Sequence, residues 1–243
     1  MRYRHTRLKY PIIALLVLSG SPLGHLWAQE SISQSTQPLV EKYRILQKNP
    51  LARNRAIMQG KQQAFLCAYC HGKDGNSTKP RFPSLASQNP VYLLEQFERF
   101  RAGVREDFTG VMQGLVENMP ADDKVALAVY YANNPLTPIT SSPLLAKKGK
   151  PLYEKYCKQC HGKNGQGTKG YARIAGQQTV YLLETLDLFK DDSRSNLRSR
   201  HSDIMTALSR LLTQEEALSI THYLTSLSVK PPSVGGNYAT DMK

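Results

Sequence analysis

The 243-residue chain is strongly basic, with 32 lysines and arginines against 19 acidic residues and a formal net charge of +13. Its one long apolar run, Ile12 to Leu18, is too short for a comfortable membrane span, which needs about 20 residues. No other segment could span a bilayer, so the composition excludes a protein that crosses the membrane several times.

Residues 1–28 have the features of an export signal. Four basic residues precede the apolar run: Arg2, Arg4, Arg7 and Lys9. Small and polar residues then lead to a predicted cleavage site after Ala28. The alternative is an uncleaved anchor, because Leu26 fits a cleavage site less well than a small residue. Export predicts a periplasmic protein, free or associated with the membrane. Cleavage would leave 28 basic against 19 acidic residues, a charge of +9.

Residues 29–55 form a predicted N-terminal arm. The segment from Pro38 to Leu46 has the spacing of a short amphipathic helix, and no residue there suggests chemistry. The sequence leaves two interpretations open: an arm that packs on the rest of the protein, or a disordered spacer.

The same pentapeptide occurs twice, as Cys67-Ala68-Tyr69-Cys70-His71 and as Cys157-Lys158-Gln159-Cys160-His161. Cys-x-x-Cys-His is the attachment motif of c-type haem: two thiols one helical turn apart add to the vinyl groups of a porphyrin, and the histidine binds iron. A redox dithiol or half of a zinc site also contains Cys-x-x-Cys, but two copies, each followed by Gly-Lys, favour haem. We therefore predict two covalently attached haem c groups. They consume all four cysteines and leave none for disulfides.

The two motifs belong to an internal repeat. Val91-Tyr-Leu-Leu-Glu95 corresponds to Val180-Tyr-Leu-Leu-Glu184, and glycines precede each haem motif at Gly60 and Gly149. A proline-rich segment separates the copies and predicts an extended linker. The predicted organisation is domain 1 at 56–134, linker at 135–143, domain 2 at 144–228 and a C-terminal tail at 229–243.

The periodicity within each unit predicts an all-α fold, because no segment alternates like a half-buried strand. The predicted helices are 56–70, 92–100 and 122–133 in the first unit, and 144–160, 181–190 and 213–227 in the second. Loops at 72–89 and 162–178 follow the haem motifs. Thr213 and Glu216 match a capping box at the start of the last helix.

Two methionines occupy matched positions in the repeat. Met112 lies seven residues before Met119, and Met205 lies seven residues before Leu212, so the shared position is Met112 and Met205. A thioether at the second axial position of the iron would raise the reduction potential. A lone methionine usually fills a core, but the matched position favours ligation. His201 could also ligate, although the first unit has no histidine at that position.

These motifs resemble the cytochrome c4 family over residues 56–228: two tandem class I cytochrome c domains behind an export signal. The resemblance implies haem attachment at Cys67, Cys70, Cys157 and Cys160, with iron ligands His71 and Met112 in the first unit and His161 and Met205 in the second. In the family, a proline carbonyl accepts a hydrogen bond from the ligating histidine. Pro83 fits that place, whereas the second unit has Ala172. The arm is longer than the family leads us to expect.

A His/Met iron has no open position, so the sequence predicts electron transfer and no catalysis. The resemblance implies a carrier between a quinol-oxidising complex and a terminal oxidase or reductase. Alternatives are a dihaem peroxidase or gas-binding enzyme, and an electron-entry subunit of a dehydrogenase or oxidase complex. The positive charge predicts redox partners with acidic docking patches, or contact with the membrane surface or a membrane oxidase, and no nucleic-acid partner. Ordinary solubility explains the charge equally well.

Overall fold

The computed structural model describes residues 22–168, 170–191 and 200–229, and every regular element in these ranges is an α-helix. The first part of the chain forms α1 Pro22–Gln47, α2 Pro50–Gln63, α3 Ala68–His71, α4 Pro90–Arg101, α5 Val111–Glu117 and α6 Ala121–Asn133. The second part forms α7 Pro143–Tyr156, α8 Lys158–His161, α9 Thr179–Lys190, α10 Arg200–Leu211 and α11 Gln214–Ser226. The predicted all-α fold is confirmed. No helix among the described residues is both long enough and apolar enough to cross a membrane.

The starts of the helices follow from local sequence. Asn49 and Asn89 each accept hydrogen bonds from two backbone N–H groups of the helix that follows, and a proline occupies the first helical position. Ser142 caps α7 before Pro143 and accepts one such hydrogen bond, from the N–H of Leu145. Proline is suited to this position because its missing N–H would be unpaired there anyway. The predicted capping box of Thr213 and Glu216 starts α11.

Corresponding helices pack alike in the two units. Helix α2 lies against α6, and α7 lies against α11. A glycine allows each close approach: a Cβ at Gly60 would collide with the carbonyl oxygen of Ala126, and a Cβ at Gly149 with that of Ser219. The predicted repeat therefore appears as a repeated helix crossing, in which only glycine fits.

The arm is an ordered part of the first unit. Helix α1 packs against α4 and α6 and contributes Leu39, Val40 and Tyr43 to the buried core. Of the two interpretations that the sequence left open, the structure has the packed arm. The helix also extends well beyond the predicted Pro38–Leu46 and includes Ala28, the predicted cleavage site. Residues 1–21 of the predicted signal lie outside the described residues.

Two further differences concern helices near the haem motifs. The predicted helix 56–70 begins earlier, at Pro50, and is interrupted between Gln63 and Ala68, so the haem histidine lies on the separate short helix α3. Helices α5 and α10 were not predicted. In α5 the glycines at 110 and 114 hid the pattern, whereas α10 carries apolar residues at helical spacing that a longer window would have detected.

Candidate haem sites

Each haem motif forms one turn of helix. Cys67 and Cys157 stand at the N-caps of α3 and α8, and the histidines are the last residues of these helices. All four cysteines are free and partly buried. This turn places both thiols and the histidine on one short rigid element, as covalent attachment of a single porphyrin requires.

A backbone carbonyl orients each motif histidine. His71 Nδ1 lies 2.8 Å from the carbonyl oxygen of Pro83, and His161 Nδ1 lies 3.0 Å from that of Ala172. Because a carbonyl oxygen only accepts, Nδ1 carries the proton and Nε2 is left for a metal. Ala172 therefore supplies the same carbonyl acceptor in the second unit as Pro83 does in the first.

Burial keeps the histidine and the first cysteine of each haem motif in their uncharged forms. It lowers the pKa of both His71 and His161, so each imidazole is neutral at neutral pH, the form that binds iron. Burial also raises the pKa of the Cys67 thiol, and together with the nearby Cys160 it raises that of Cys157 to about 12. The thiols of Cys67 and Cys157 are therefore protonated at neutral pH.

The predicted methionines lie on the two unpredicted helices. Met112 is the second residue of α5, and Met205 lies in the middle of α10; both side chains are partly buried. Helix α5 packs on α4, and α10 packs on the corresponding helix α9. Each methionine stands nine residues before its closing helix, Met112 before Ala121 and Met205 before Gln214. Met119 is also partly buried against the first core, but it lies outside α5. The side chain of His201 lies outside the described part of the chain.

The chain contains a buried guanidinium, that of Arg173, with a donor available for an acidic group of the haem. Arg173 is 1% exposed, donates from Nη2 to Ser84 O at 2.7 Å and from Nη1 to Ala175 O, and has no hydrogen-bond partner at Nε among the described residues. Burial lowers the pKa of Arg173 to about 10. A buried cation with an unused donor is suited to a carboxylate such as a haem propionate. The donor set of the chain therefore fits the group that the motifs imply.

The haem loops also form the contact between the two units. Arg81 pairs with Glu184 at 2.7 Å, and the partly buried Arg105 donates from its guanidinium to Tyr181 Oη at 3.2 Å. Further hydrogen bonds involve Gln88, Arg173 and Gln177, which the sequence analysis missed. The sequence did contain a signal for the two glutamines, because Gln88 and Gln177 occupy matched positions near the end of each haem loop.

Comparison with known proteins agrees with this architecture. The family model described as cytochrome c matches residues 146–228. A cytochrome c4 of Azotobacter vinelandii is 31% identical over 185 residues, which cover 69% of this chain and 87% of that protein. A crystal structure of reduced recombinant cytochrome c4 from Pseudomonas stutzeri has a TM-score of 0.63 and 28% identity, covering 69% of this chain and 96% of the other.

A third similar protein is named for its redox partner. A thiosulfate dehydrogenase electron acceptor of Thiomonas intermedia is 26% identical over 186 residues, which cover 70% of this chain and 82% of that protein. The sequence identity to the cytochromes c4, the share of both chains that is covered and the two haem motifs all indicate the same family. The chain therefore belongs to the cytochrome c4 family of c-type electron carriers, with two class I cytochrome c domains and covalently bound haem c.

Proposed function

We propose that this protein is an exported, periplasmic dihaem carrier that moves electrons between a quinol-oxidising complex and a terminal oxidase or reductase. The observation that carries the proposal is the pair of histidines, each held through Nδ1 by a backbone carbonyl with Nε2 left free. A histidine held in this way presents the Nε2 lone pair in a fixed orientation, as an axial ligand of iron requires.

Met112 and Met205 complete the two iron sites in this proposal. Their equivalent spacing before α6 and α11, and the equivalent packing of α5 and α10, support the same role for both. When bound, haem supplies reversible one-electron chemistry at the iron. In this proposal the chain contributes two fixed ligands per iron, burial, and direct contacts between the two units at the haem loops. With both axial positions filled, little room remains for a substrate, which favours outer-sphere transfer.

A soluble dehydrogenase is a second candidate donor. The similarity to a thiosulfate dehydrogenase electron acceptor favours this alternative, because that protein is named as the electron acceptor of a dehydrogenase. In both cases the chain itself is a carrier. The two alternatives differ only in the protein that donates electrons to it.

A redox titration of the exported protein, followed by exposure of the reduced protein to carbon monoxide, tests the proposal. We expect two one-electron haem steps and no carbon monoxide binding without denaturant, because both axial positions are filled. Rapid carbon monoxide binding to one haem would instead indicate a peroxidase or gas-binding enzyme. A mass equal to that of the bare polypeptide after export through a working haem-attachment pathway would contradict the haem assignment itself.

A further inference from the structure

One peptide group connects the first haem site to the opposite domain. The carbonyl oxygen of the peptide between Pro83 and Ser84 lies 2.8 Å from His71 Nδ1, and the N–H of the same peptide donates to Gln177 Oε1 at 2.7 Å. Gln177 belongs to the second domain. A continuous hydrogen-bonded path therefore leads from the glutamine amide, through the peptide, to the axial histidine.

The second haem site has the same arrangement with the domains exchanged. The peptide between Ala172 and Arg173 accepts from His161 Nδ1 at 3.0 Å and donates through its N–H to Gln88 Oε1 at 2.7 Å. Gln88 belongs to the first domain. The two paths are thus related by an approximate two-fold exchange of the domains.

Both glutamines are fixed in place. Gln177 and Gln88 are 2% and 4% exposed. Each amide also donates from Nε2 at 3.0 Å, Gln177 to Ser84 O and Gln88 to Arg173 O. Each Oε1 further accepts the N–H of the residue that follows its glutamine, at 3.0 and 2.9 Å. With donor and acceptor both used, the amide orientation is determined and Oε1 stays on the peptide N–H.

The effect on the iron follows from amide resonance. An acceptor on the peptide N–H shifts electron density towards the carbonyl oxygen, which then holds the histidine Nδ1 proton more strongly. A more strongly held Nδ1–H makes the imidazole a better donor through Nε2, which stabilises the ferric state and lowers the potential. We propose that Gln177 lowers the reduction potential of the haem in the first domain and that Gln88 does so for the second, so that each domain tunes the other's haem.

The experiment is a spectroelectrochemical titration of the full-length holoprotein with Gln177→Leu, which keeps the volume and removes the acceptor. Ser84 O retains its bond from Arg173 Nη2 at 2.7 Å, so the substitution leaves that carbonyl paired. We expect the ferrous-to-ferric ratio of the first haem at a fixed potential to rise about threefold, a shift of about 28 mV at 59 mV per tenfold. The second haem should be unchanged. NMR of the haem methyl groups identifies which haem shifts, and the His71 Nδ1–H resonance should show a weaker hydrogen bond.

Two further variants separate tuning from a loosened interface. Gln88→Leu should shift only the second haem. Gln178→Leu is the matched control, because Gln178 Nε2 also donates across the interface, to Ser77 O, without touching either histidine-bound peptide. Equal shifts in Gln178→Leu and Gln177→Leu, a shift in the haem of the mutated domain, or no shift at all would overturn the inference. If Gln177→Leu does not assemble, Gln177→Asn keeps an amide that is one methylene too short and must give the same crossed shift.

This inference depends on His71 and His161 being the axial ligands, as in the proposed function. Haem content and the spectrum of the reduced protein are therefore measured first on the unmodified chain. Loss of a haem there contradicts the proposed function, whereas two intact haems with unshifted potentials in both leucine variants contradict only the cross-domain tuning.

Discussion

At the scale of single residues, the two haem sites have the same histidine–carbonyl hydrogen bond but differ in the residue that supplies the carbonyl. The histidine of the haem motif is held by the carbonyl of Pro83 in the first domain and by that of Ala172 in the second. Proline limits φ in the loop, and alanine does not. Around His71 the aromatic ring of Phe82 adds an edge contact, and Tyr171 makes the corresponding contact with His161. The hydrogen bond and the aromatic edge contact are therefore kept in both domains.

The methionine assignment gives a prediction at this scale. Met112→Ala and Met205→Ala should each remove half of the weak near-infrared band that marks thioether coordination of ferric haem, because each would open one axial position. Absorption spectroscopy of the oxidised protein measures the band. Met119→Ala is the control: it should keep the full band and cost at most about 2–3 kcal/mol of packing. Loss of the band in Met119→Ala with retention in Met112→Ala would show that the repeat alignment is wrong.

At the scale of elements, α1 completes the first domain. Its apolar side chains enter the same core as α4 and α6, and Lys42 on α1 pairs with Asp122 on α6. A second charged group ties α4 to α6: Glu98, 3% exposed, accepts from Lys124 Nζ at 2.7 Å and from Arg101 Nε at 2.8 Å. The first domain is thus held by helices that lie far apart in the chain.

The packing of the arm predicts a local loss of stability. Leu39→Ala, at a position 5% exposed, should lower the free energy of unfolding of the first domain by about 2–5 kcal/mol, because it leaves a cavity in the core. Ile45→Ala is the matched control on the same helix, since Ile45 is 60% exposed and its loss should cost little. Denaturant unfolding followed at each haem measures both changes. Equal effects of the two substitutions would mean that α1 does not pack as described.

The buried carboxylate predicts a dependence on pH. Burial opposes ionisation, but hydrogen bonds from Lys124 and Arg101 hold the pKa of Glu98 below its usual value. A lowered folded-state pKa stabilises the protein above the unfolded value of about 4.3, and this contribution is lost as the pH falls through the folded pKa. Glu98→Gln should therefore destabilise the protein at neutral pH and less so in acid. Denaturant titrations at neutral and acidic pH measure the difference in the free energy of unfolding between the variant and the parent. A difference that stays constant with pH would contradict the role given to Glu98.

At the scale of the whole molecule, basic side chains lie near both haem motifs. Lys73 and Lys163 are exposed on the two haem loops, and Lys79 lies over the ring of Tyr69 at 3.7 Å. Lys169, also expected on the second loop, lies outside the described residues. Basic side chains near both haem motifs would attract an acidic docking patch to either one.

Ionic strength tests this attraction. Electron exchange with an acidic partner should slow by about tenfold between low and physiological salt, because screening weakens the steering field. Stopped-flow measurements of the electron-exchange rate at several salt concentrations test this expectation. Lys73→Glu and Lys163→Glu should differ in effect and so identify the receiving haem, whereas Lys48→Glu on the arm makes the same charge change as a control. Rates that stay flat with salt would indicate apolar docking, and an equal effect of Lys48→Glu would indicate net charge alone.

The sequence by itself determined the haem chemistry, the repeat and the helical class. Cys-x-x-Cys-His is a local pattern within a single turn, and the matched segments around Gly60 and Gly149 repeat short-range information. Such features are specified by neighbours along the chain and need no knowledge of the fold.

Only the tertiary structure decided the role of the arm and the residues between the domains. Helix α1 resembles a spacer in sequence because the core that stabilises it is supplied by α4 and α6. Gln88, Arg173 and Gln177 read as ordinary loop residues until the other domain places a peptide group against them. Their hydrogen-bond partners lie roughly 90 positions away in the chain, which is about the separation of the two repeats. A buried amide or guanidinium acquires its role only from the groups that folding brings to it.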